Sequence, residues 1–292
     1  MGHAALFSDG EKIRRQMSSA GQKARLGALC FDTLSSSHFC ISGVSQLMTL
    51  ERKLDTFKSM GLDFAYVCDF SQIRDMSPTE FIEEILIKKC NCIGVVCGFN
   101  FRFGKNAAGN ADFLVSYFNK ISSFKNSCSI VPPVSINGTV VSSSHIRDLL
   151  SRGDIEGAND MLGRNYSITH PVVHGKNLGS RLGFPTINHI FSDAEVIPSL
   201  GIYATRTTIN HCSFISVTNV GTRPTVSSSG TVTCETHLIG VDSRENFYGE
   251  IAEVFFYKKI RDEKRFSSQA ELSNAIAADI ETTKNILIYL NT

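Results

Sequence analysis

The sequence has almost no net charge: 29 Lys and Arg stand against 28 Asp and Glu, leaving +1. No global field therefore draws the chain to nucleic acid or to an anionic membrane, although a local phosphate site stays open. It lacks any apolar run of membrane-spanning length and any signal-peptide pattern, so no membrane partner is expected. Its nine cysteines form an odd set with no Cys-x-x-Cys and no regular spacing. That argues against a zinc site or a disulfide framework. Cys90, Cys92 and Cys97 lie in and beside an apolar, strand-like run and are expected to be reduced core residues of a cytoplasmic protein. Internal repeats and low-complexity segments are also missing. What remains is 292 residues, 42% of them hydrophobic, enough for one large domain or two ordinary ones.

The first half alternates helix and strand patterns. A helical pattern covers residues 4–25, and 26–31 reads as a short buried strand ending at Asp32. Thr49 caps a helix stopped by Gly61, and 64–68 is a second strand. Ser77-Pro78-Thr79-Glu80 is a capping box with proline at the first helical position, opening a helix to about Lys89. Strands follow at 93–97 and 129–131. The alternation predicts a doubly wound parallel sheet, whose ligands bind beyond the carboxyl ends of the strands. The loop Gly98-Phe99-Asn100-Phe101-Arg102-Phe103-Gly104-Lys105 puts two cations and several aromatic faces there; alternatively, it simply packs its aromatics into the core. Ile136-Asn137-Gly138-Thr139 signals a hairpin. At Ser142-Ser143-Ser144-His145-Ile146-Arg147, a serine cap, hydroxyls and a guanidinium gather at a helix start. That suits an anion or is plain capping.

After about residue 163 helical periodicity almost vanishes. Short runs rich in Val, Ile, Thr and Phe, at 168–174, 184–190, 201–209, 213–220, 232–239 and 251–257, predict an antiparallel barrel or sandwich. Residues 268–289 form a closing helix with Leu272, Ile276, Ile280 and Leu287 on its apolar side. The second half is organised around Gly179-Ser180-Arg181-Leu182-Gly183-Phe184-Pro185-Thr186-Ile187-Asn188. Glycine spacing reaching back to Gly175 lets backbone N–H groups approach a phosphate, and Lys176 and Arg181 add positive charge. Thr186 and Asn188, at i and i+2 on a strand, share a face. Their hydroxyl and amide oxygens suit a hard cation such as Mg²⁺. An ordinary turn remains the alternative for the loop by itself.

Taken together these motifs resemble the prokaryotic bifunctional riboflavin kinase/FMN adenylyltransferase family, also called FAD synthetase, over almost the whole chain. The resemblance rests on Gly183 to Asn188, Gly201-Ile202-Tyr203-Ala204, Asn219-Val220-Gly221-Thr222-Arg223-Pro224-Thr225, Glu235-Thr236-His237-Leu238, Tyr248-Gly249 and Arg261 to Phe266. In the first half it rests on Gly98 to Lys105 and Ser142 to Arg147. It implies an adenylyltransferase-like domain at 1–156 and a riboflavin kinase domain at 157–292, the latter a six-stranded antiparallel β-barrel with a C-terminal helix. It also implies phosphorylation of the riboflavin 5′-hydroxyl by ATP to give FMN, then adenylylation of FMN to FAD. Thr186 and Asn188 would hold Mg²⁺ and the ATP phosphates, and Gly175, Lys176, Gly179, Arg181 and Gly183 would belong to the loop over the nucleotide. Glu235 would take the proton from the ribityl hydroxyl, and Arg261 would border the flavin. His237, on Glu235's strand face, is expected to be a packed or capping imidazole. In the first half Gly2, His3, Asn100, Arg102, Ser143, Ser144 and Arg147 would form the nucleotide site, with His145 where an arginine is common.

The chain also departs from that pattern. The family opens with a strand, a Gly-Asp turn and His-x-Gly-His; here Met1-Gly2-His3 supplies only the last two motif residues, without the strand or the first histidine. The family's Asp-Pro-His-Pro segment reads Asp32-Thr33-Leu34-Ser35. The absent strand is central in such a Rossmann-like sheet. Each buried backbone group left unpaired costs about 1–3 kcal/mol, against a net stability of only about 5–15 kcal/mol. The N-terminal sheet is therefore expected to be loose or rearranged. Either the true start lies upstream and Met1 is internal, or the adenylyltransferase arm has decayed while the kinase persists. A non-catalytic flavin- or nucleotide-binding regulator is a further alternative, against which Thr186, Asn188 and Glu235 count.

Overall fold

The computed structural model describes residues 1–32, 45–121, 127–175, 179, 182–192, 194–223, 231–241 and 246–289. Contacts sort the chain into two compact units, Met1–Val44 with Thr49–Val141, and Ser45–Met48 with Ser142–Thr292.

The first unit opens with α1, Gly2–Ser19. It is shorter than the 4–25 pattern because Gly21 turns the chain at φ +80, a conformation that favours glycine. Strand β1, Gly27–Asp32, pairs in parallel with β2, Phe64–Asp69. Between them α2, Leu50–Ser59, starts at Thr49, whose side chain accepts the Arg52 N–H. Helix α3, Phe70–Ile73, follows β2. Helix α4, Pro78–Glu80, carries the expected reciprocal capping box of Ser77 and Glu80. It continues as a π-helix, Phe81–Lys89, whose Cys90 N–H reaches back to the Ile85 carbonyl. Strand β3, Val95–Gly98, precedes the small ribbon of β4, Arg102–Phe103, and β5, Gly109–Asn110. After α5, Ala111–Ile121, strand β6, Cys128–Val131, pairs in parallel with β3. A hairpin of β7, Ser135–Ile136, and β8, Thr139–Val140, ends the unit. Its turn residues Asn137 and Gly138 both have positive φ, the type I′ geometry of an Asn-Gly turn.

The parallel strands form two separate two-stranded sheets, β1–β2 and β3–β6. Among the described residues no strand joins them by hydrogen bonds. One apolar core still holds both pairs: Cys68 of β2 and Cys97 of β3 pack with Phe81, Ile85, Leu114 and Phe118. On β2, Phe64 (38%) and Val67 (37%) are exposed, whereas a parallel strand covered on both faces would bury them. Cys90, Cys92 and Cys97 are free thiols. Burial pushes Cys92 and Cys97 up to about 11, so they are neutral. Among the described residues no helix is long and apolar enough to cross a membrane.

The second unit begins with α6, Ser143–Arg152, and α7, Ile155–Leu162, each stopped by a left-handed glycine, Gly153 and Gly163. Six antiparallel strands follow: β9, Tyr166–Pro171; β10, Thr186–Ile190; β11, Gly201–Ile209; β12, Cys212–Arg223; β13, Thr231–Leu238; and β14, Ile251–Arg261. Their order is β10-β13-β12-β11-β14-β9. A bridge from Val173 to Asn188 brings the chain beyond β9 back onto β10 and closes the barrel. Helix α8, Gln269–Tyr289, completes the unit and buries Ile280 and Leu287.

Strand alternation divides the barrel residues cleanly. Tyr203, Val220, Val254 and Phe256 point inward and are fully buried. So are five hydroxyl residues that satisfy one another: Thr205 bonds Ser216 at 2.9 Å and Thr218 at 2.8 Å, Thr207 bonds Ser216 at 2.7 Å, and Thr218 bonds Thr236 at 3.0 Å. A closed network of this kind avoids the penalty of burying polar groups. The residues between these, including Asn188, Asn219 and Glu235, belong to the outer face.

Candidate active site

Strand β10 positions the first two site residues. Pro185 offers no N–H, and its carbonyl accepts from His237 Nδ1 at 2.8 Å. Thr186 and Asn188 then project outward. The antiparallel register sets Thr186 opposite His237 and Asn188 opposite Glu235. Directly opposed residues share a sheet face with Cβ atoms about 4.5–5.5 Å apart. The two oxygen-bearing side chains and the carboxylate therefore stand together, as expected. His237 is a packed imidazole, bonded to Pro185 and edge-on to the Phe184 ring at 5.7 Å.

The glycine-spaced loop meets this face. Val173 N–H donates to the Asn188 carbonyl at 2.8 Å, so the chain leaving β9 runs beside Asn188. A Cβ on Gly175 would lie only 2.7 Å from Cγ and Oδ1 of Asn188; glycine is required by close approach. Gly179 accepts from Leu182 N at 3.0 Å and Phe184 N at 2.8 Å, and Gly183 turns at φ +83. Lys176 and Arg181 lie outside the described residues. An open cleft of about 270 Å³ lies between this loop and the start of α8, lined by Leu182, Phe266, Ser267, Ser268, Gln269 and Leu272.

The donor set fits Mg²⁺. A hydroxyl and an amide oxygen are hard ligands, and a cation held by so few protein groups completes its octahedron with substrate phosphates and water. The Gly175 backbone packs directly against the Asn188 amide, which is 4% exposed. Among the described residues no group of three or more His, Cys, Asp or Glu side chains converges as a separate metal site.

Arg261, at the end of β14, is engaged by α8. Its Nε and Nη2 donate to the two carboxylate oxygens of Asp279 at 2.9 and 2.7 Å, and its guanidinium lies 5.7 Å from the Phe266 ring centre. Such a bidentate pair fixes the plane of the guanidinium. Asp279 carried no signal in the sequence beyond being an acid on a helix's apolar side. Asn219 was legible as part of a motif, but its place was not: the register sets it opposite Glu235 on the other flank from Asn188.

In the first half, Gly2 and His3 form the start of α1, a position whose N–H groups suit an anion. Asn100 and Arg102 are exposed beyond β3. The flanking aromatics divide: Phe103 is buried and stacks with Phe101 at 5.4 Å, while Phe99 is 46% exposed. Ser143 and Ser144 are exposed in the first turn of α6, and Ser142 caps it by accepting His145 N–H at 3.2 Å. Arg147 Nε donates to the Ser45 carbonyl at 2.7 Å.

Comparison with known proteins gives two family matches that together span most of the chain. Residues 1–145 match the FAD synthetase family and residues 162–287 the riboflavin kinase family. The bifunctional riboflavin kinase/FMN adenylyltransferase of Bacillus subtilis is 30% identical over 231 residues, 79% of this chain and 72% of that protein. The protein of the same description from Buchnera aphidicola subsp. Schizaphis graminum is 34% identical over 246 residues, 82% of this chain and 76% of its own length. That of Listeria monocytogenes is 28% identical over 290 residues, covering 97% and 88%. Among solved structures, one described as a macrolide-efflux protein from Streptococcus pneumoniae superposes with a TM-score of 0.83 at 26% identity, covering 97% of this chain and 90% of that one.

Proposed function

Because this chain belongs to the bifunctional riboflavin kinase/FMN adenylyltransferase family, we propose that its barrel phosphorylates riboflavin to FMN at the Asn188–Glu235 face. The first half carries the second activity, transfer of AMP from ATP to FMN to give FAD and pyrophosphate. The proposed boundary at 156/157 lies in the stretch that neither family match covers, whereas contacts already group Ser142 onward with the second unit.

The observation that carries the kinase reading is the register of Asn188 against Glu235. Phosphoryl transfer is mainly positioning and charge neutralisation. Thr186 and Asn188 orient the Mg²⁺-bound ATP phosphates, and the metal supplies charge neutralisation there. Gly175, Lys176, Gly179, Arg181 and Gly183 cover the nucleotide. Glu235, one strand away, accepts the proton of the ribityl hydroxyl as that oxygen attacks. Arg261, its plane fixed by Asp279, borders the flavin beside the cleft of Phe266 and Leu272. For the adenylyltransferase, Gly2, His3, Asn100 and Arg102 of the first unit offer helix-start N–H groups and a guanidinium to nucleotide phosphates, and Ser143, Ser144 and Arg147 at the start of α6 in the second offer hydroxyls and a guanidinium to the same chemistry. ATP as the common substrate and free thiols fit a cytoplasmic setting, with small molecules as the partners.

The test is incubation with riboflavin, ATP and Mg²⁺, followed by chromatography. FMN and FAD are both expected. Glu235→Gln should lower kcat of FMN formation by about 100-fold or more, with riboflavin binding little changed. Equal losses in turnover and binding would remove the base role, and no FMN from the unaltered protein would remove the kinase reading.

A further inference from the structure

A third side chain stands in the Asn188–Glu235 row without an assigned part. Asn219 of β12 is directly opposite Glu235 of β13, which is opposite Asn188 of β10. Two inter-strand spacings separate the two asparagines, roughly 10 Å, with the carboxylate between them. The side-chain oxygen of Asn219 is buried and has no hydrogen-bond partner among the described residues. A buried acceptor left unmade costs free energy, and such groups are rare in folded proteins. The oxygen therefore calls for a donor that the described residues do not supply.

The surroundings narrow that donor. Gly221, two residues on along the same face, has no Cβ; one built there would lie 3.2 Å from Cδ of Glu263 and 3.3 Å from Nδ2 of Asn219. The Glu263 carboxylate thus comes down beside the Asn219 amide. This flank of the row offers the Glu235 carboxylate, the Glu263 carboxylate and the Asn219 oxygen. All three are acceptors, and two of them are carboxylates. A phosphate, itself an anionic acceptor, is repelled there. A neutral polyol, with several adjacent O–H donors, is matched.

We propose that Asn219 binds the acceptor substrate: its Oδ1 accepts a hydrogen bond from a ribityl hydroxyl and thereby orders the row, with nucleotide on the Asn188 flank and sugar alcohol on the Asn219 flank of Glu235. This rests on the kinase reading above. It gives Asn219 a part in specificity for hydroxylated flavins, separate from proton transfer by Glu235.

The experiment compares the unaltered protein with Asn219→Leu and Asn219→Ala, measuring KM for riboflavin, KM for ATP, and the affinity for lumiflavin, which has the ring system but no ribityl chain. Loss of one buried hydrogen bond to substrate should raise KM for riboflavin about tenfold, leave KM for ATP within about twofold, and leave lumiflavin affinity unchanged. An unchanged riboflavin KM in the alanine variant overturns the inference. So does an equal weakening of riboflavin and lumiflavin, which marks a merely structural residue. If the unaltered protein makes no FMN, the kinase reading itself has failed; if it does and the variants match it, only the role of Asn219 has.

Discussion

His189 is the residue whose replacement should most change stability. It lies on β10 between Asn188 and Ile190, is fully buried, and neither ring nitrogen has a hydrogen-bond partner. Its neighbour across the sheet is Cys234, also fully buried. A neutral imidazole carries one donor and one acceptor, and each left unsatisfied costs about 1–3 kcal/mol. Leucine has a similar volume and no polar atom, and a packing mismatch costs under about 1.5 kcal/mol. His189→Leu should therefore stabilise the barrel by about 2–3 kcal/mol at neutral pH. The gain should grow in acid. Burial, and then the nearby His170, hold the His189 pKa down at about 4, against 6.5 for an ordinary histidine. Between those two values the unfolded chain binds a proton that the folded chain does not, so stability falls as pH falls from 6.5 through 4. From pH 7.5 to pH 5 that loss is about 2 kcal/mol at 1.36 kcal/mol per unit, and it is absent from the leucine variant. Other groups titrate nearby, notably Glu195, whose carboxyl lies 2.8 Å from His170 Nε2. They are common to both proteins and cancel in the difference. Urea unfolding at the two pH values measures it. The chain lacks tryptophan, and Tyr166 and Tyr203, both buried in the barrel, give the fluorescence signal. A variant no more stable than the parent, or a difference that stays flat with pH, would refute the reasoning.

Gly175→Ala should leave the fold intact but force the Asn188 amide aside, since the new methyl would sit 2.7 Å from its Cγ and Oδ1. FMN formation should drop at least about tenfold in kcat/KM for ATP, with the melting temperature lowered by no more than a few degrees; steady-state kinetics and calorimetry check both. Asp279→Ala strands the Arg261 guanidinium, whose partner carboxylate is 7% exposed. It should cost about 3 kcal/mol, read by urea unfolding, and should raise KM for riboflavin more than KM for ATP.

How far the sequence foretold this structure depends on the range of the forces that form each part. Local signals were reliable because the physics is local: the Ser77–Glu80 capping box, the Thr49 cap, the Gly61 stop and the Asn137–Gly138 turn form as read. Strand alternation gave the six barrel strands to within a few residues, since one face of each must be buried. The same period placed Thr186 with Asn188, and Glu235 with His237. It could not say which residues of different strands face each other, because register is fixed by pairs distant in sequence. That is why Asn219, the Arg261–Asp279 pair and the approach of Gly175 to Asn188 were not legible. The division of the N-terminal parallel strands into two pairs was not read in advance: the alternation predicts one doubly wound sheet, the departures from the family pattern only a loose or rearranged one, and which strands pair is fixed by contacts distant in sequence.

His189 and Asn219 bear on the same question from opposite faces of one barrel. Both carry buried polar atoms without partners, yet the consequences differ. The inward face holds a hydroxyl network that closes on itself through Thr205, Ser216 and Thr218, so a polar atom outside that network there, as in His189, is a standing cost with no ligand to relieve it. The outward face carries Glu235 and meets the glycine loop, and an unpaired atom there is relieved only when substrate arrives. Burial by itself does not separate a fold defect from a binding group; the strand parity of the residue does. Odd and even positions along β10, β12 and β13 thus divide stability from function, and a one-residue slip in any of them would exchange the two.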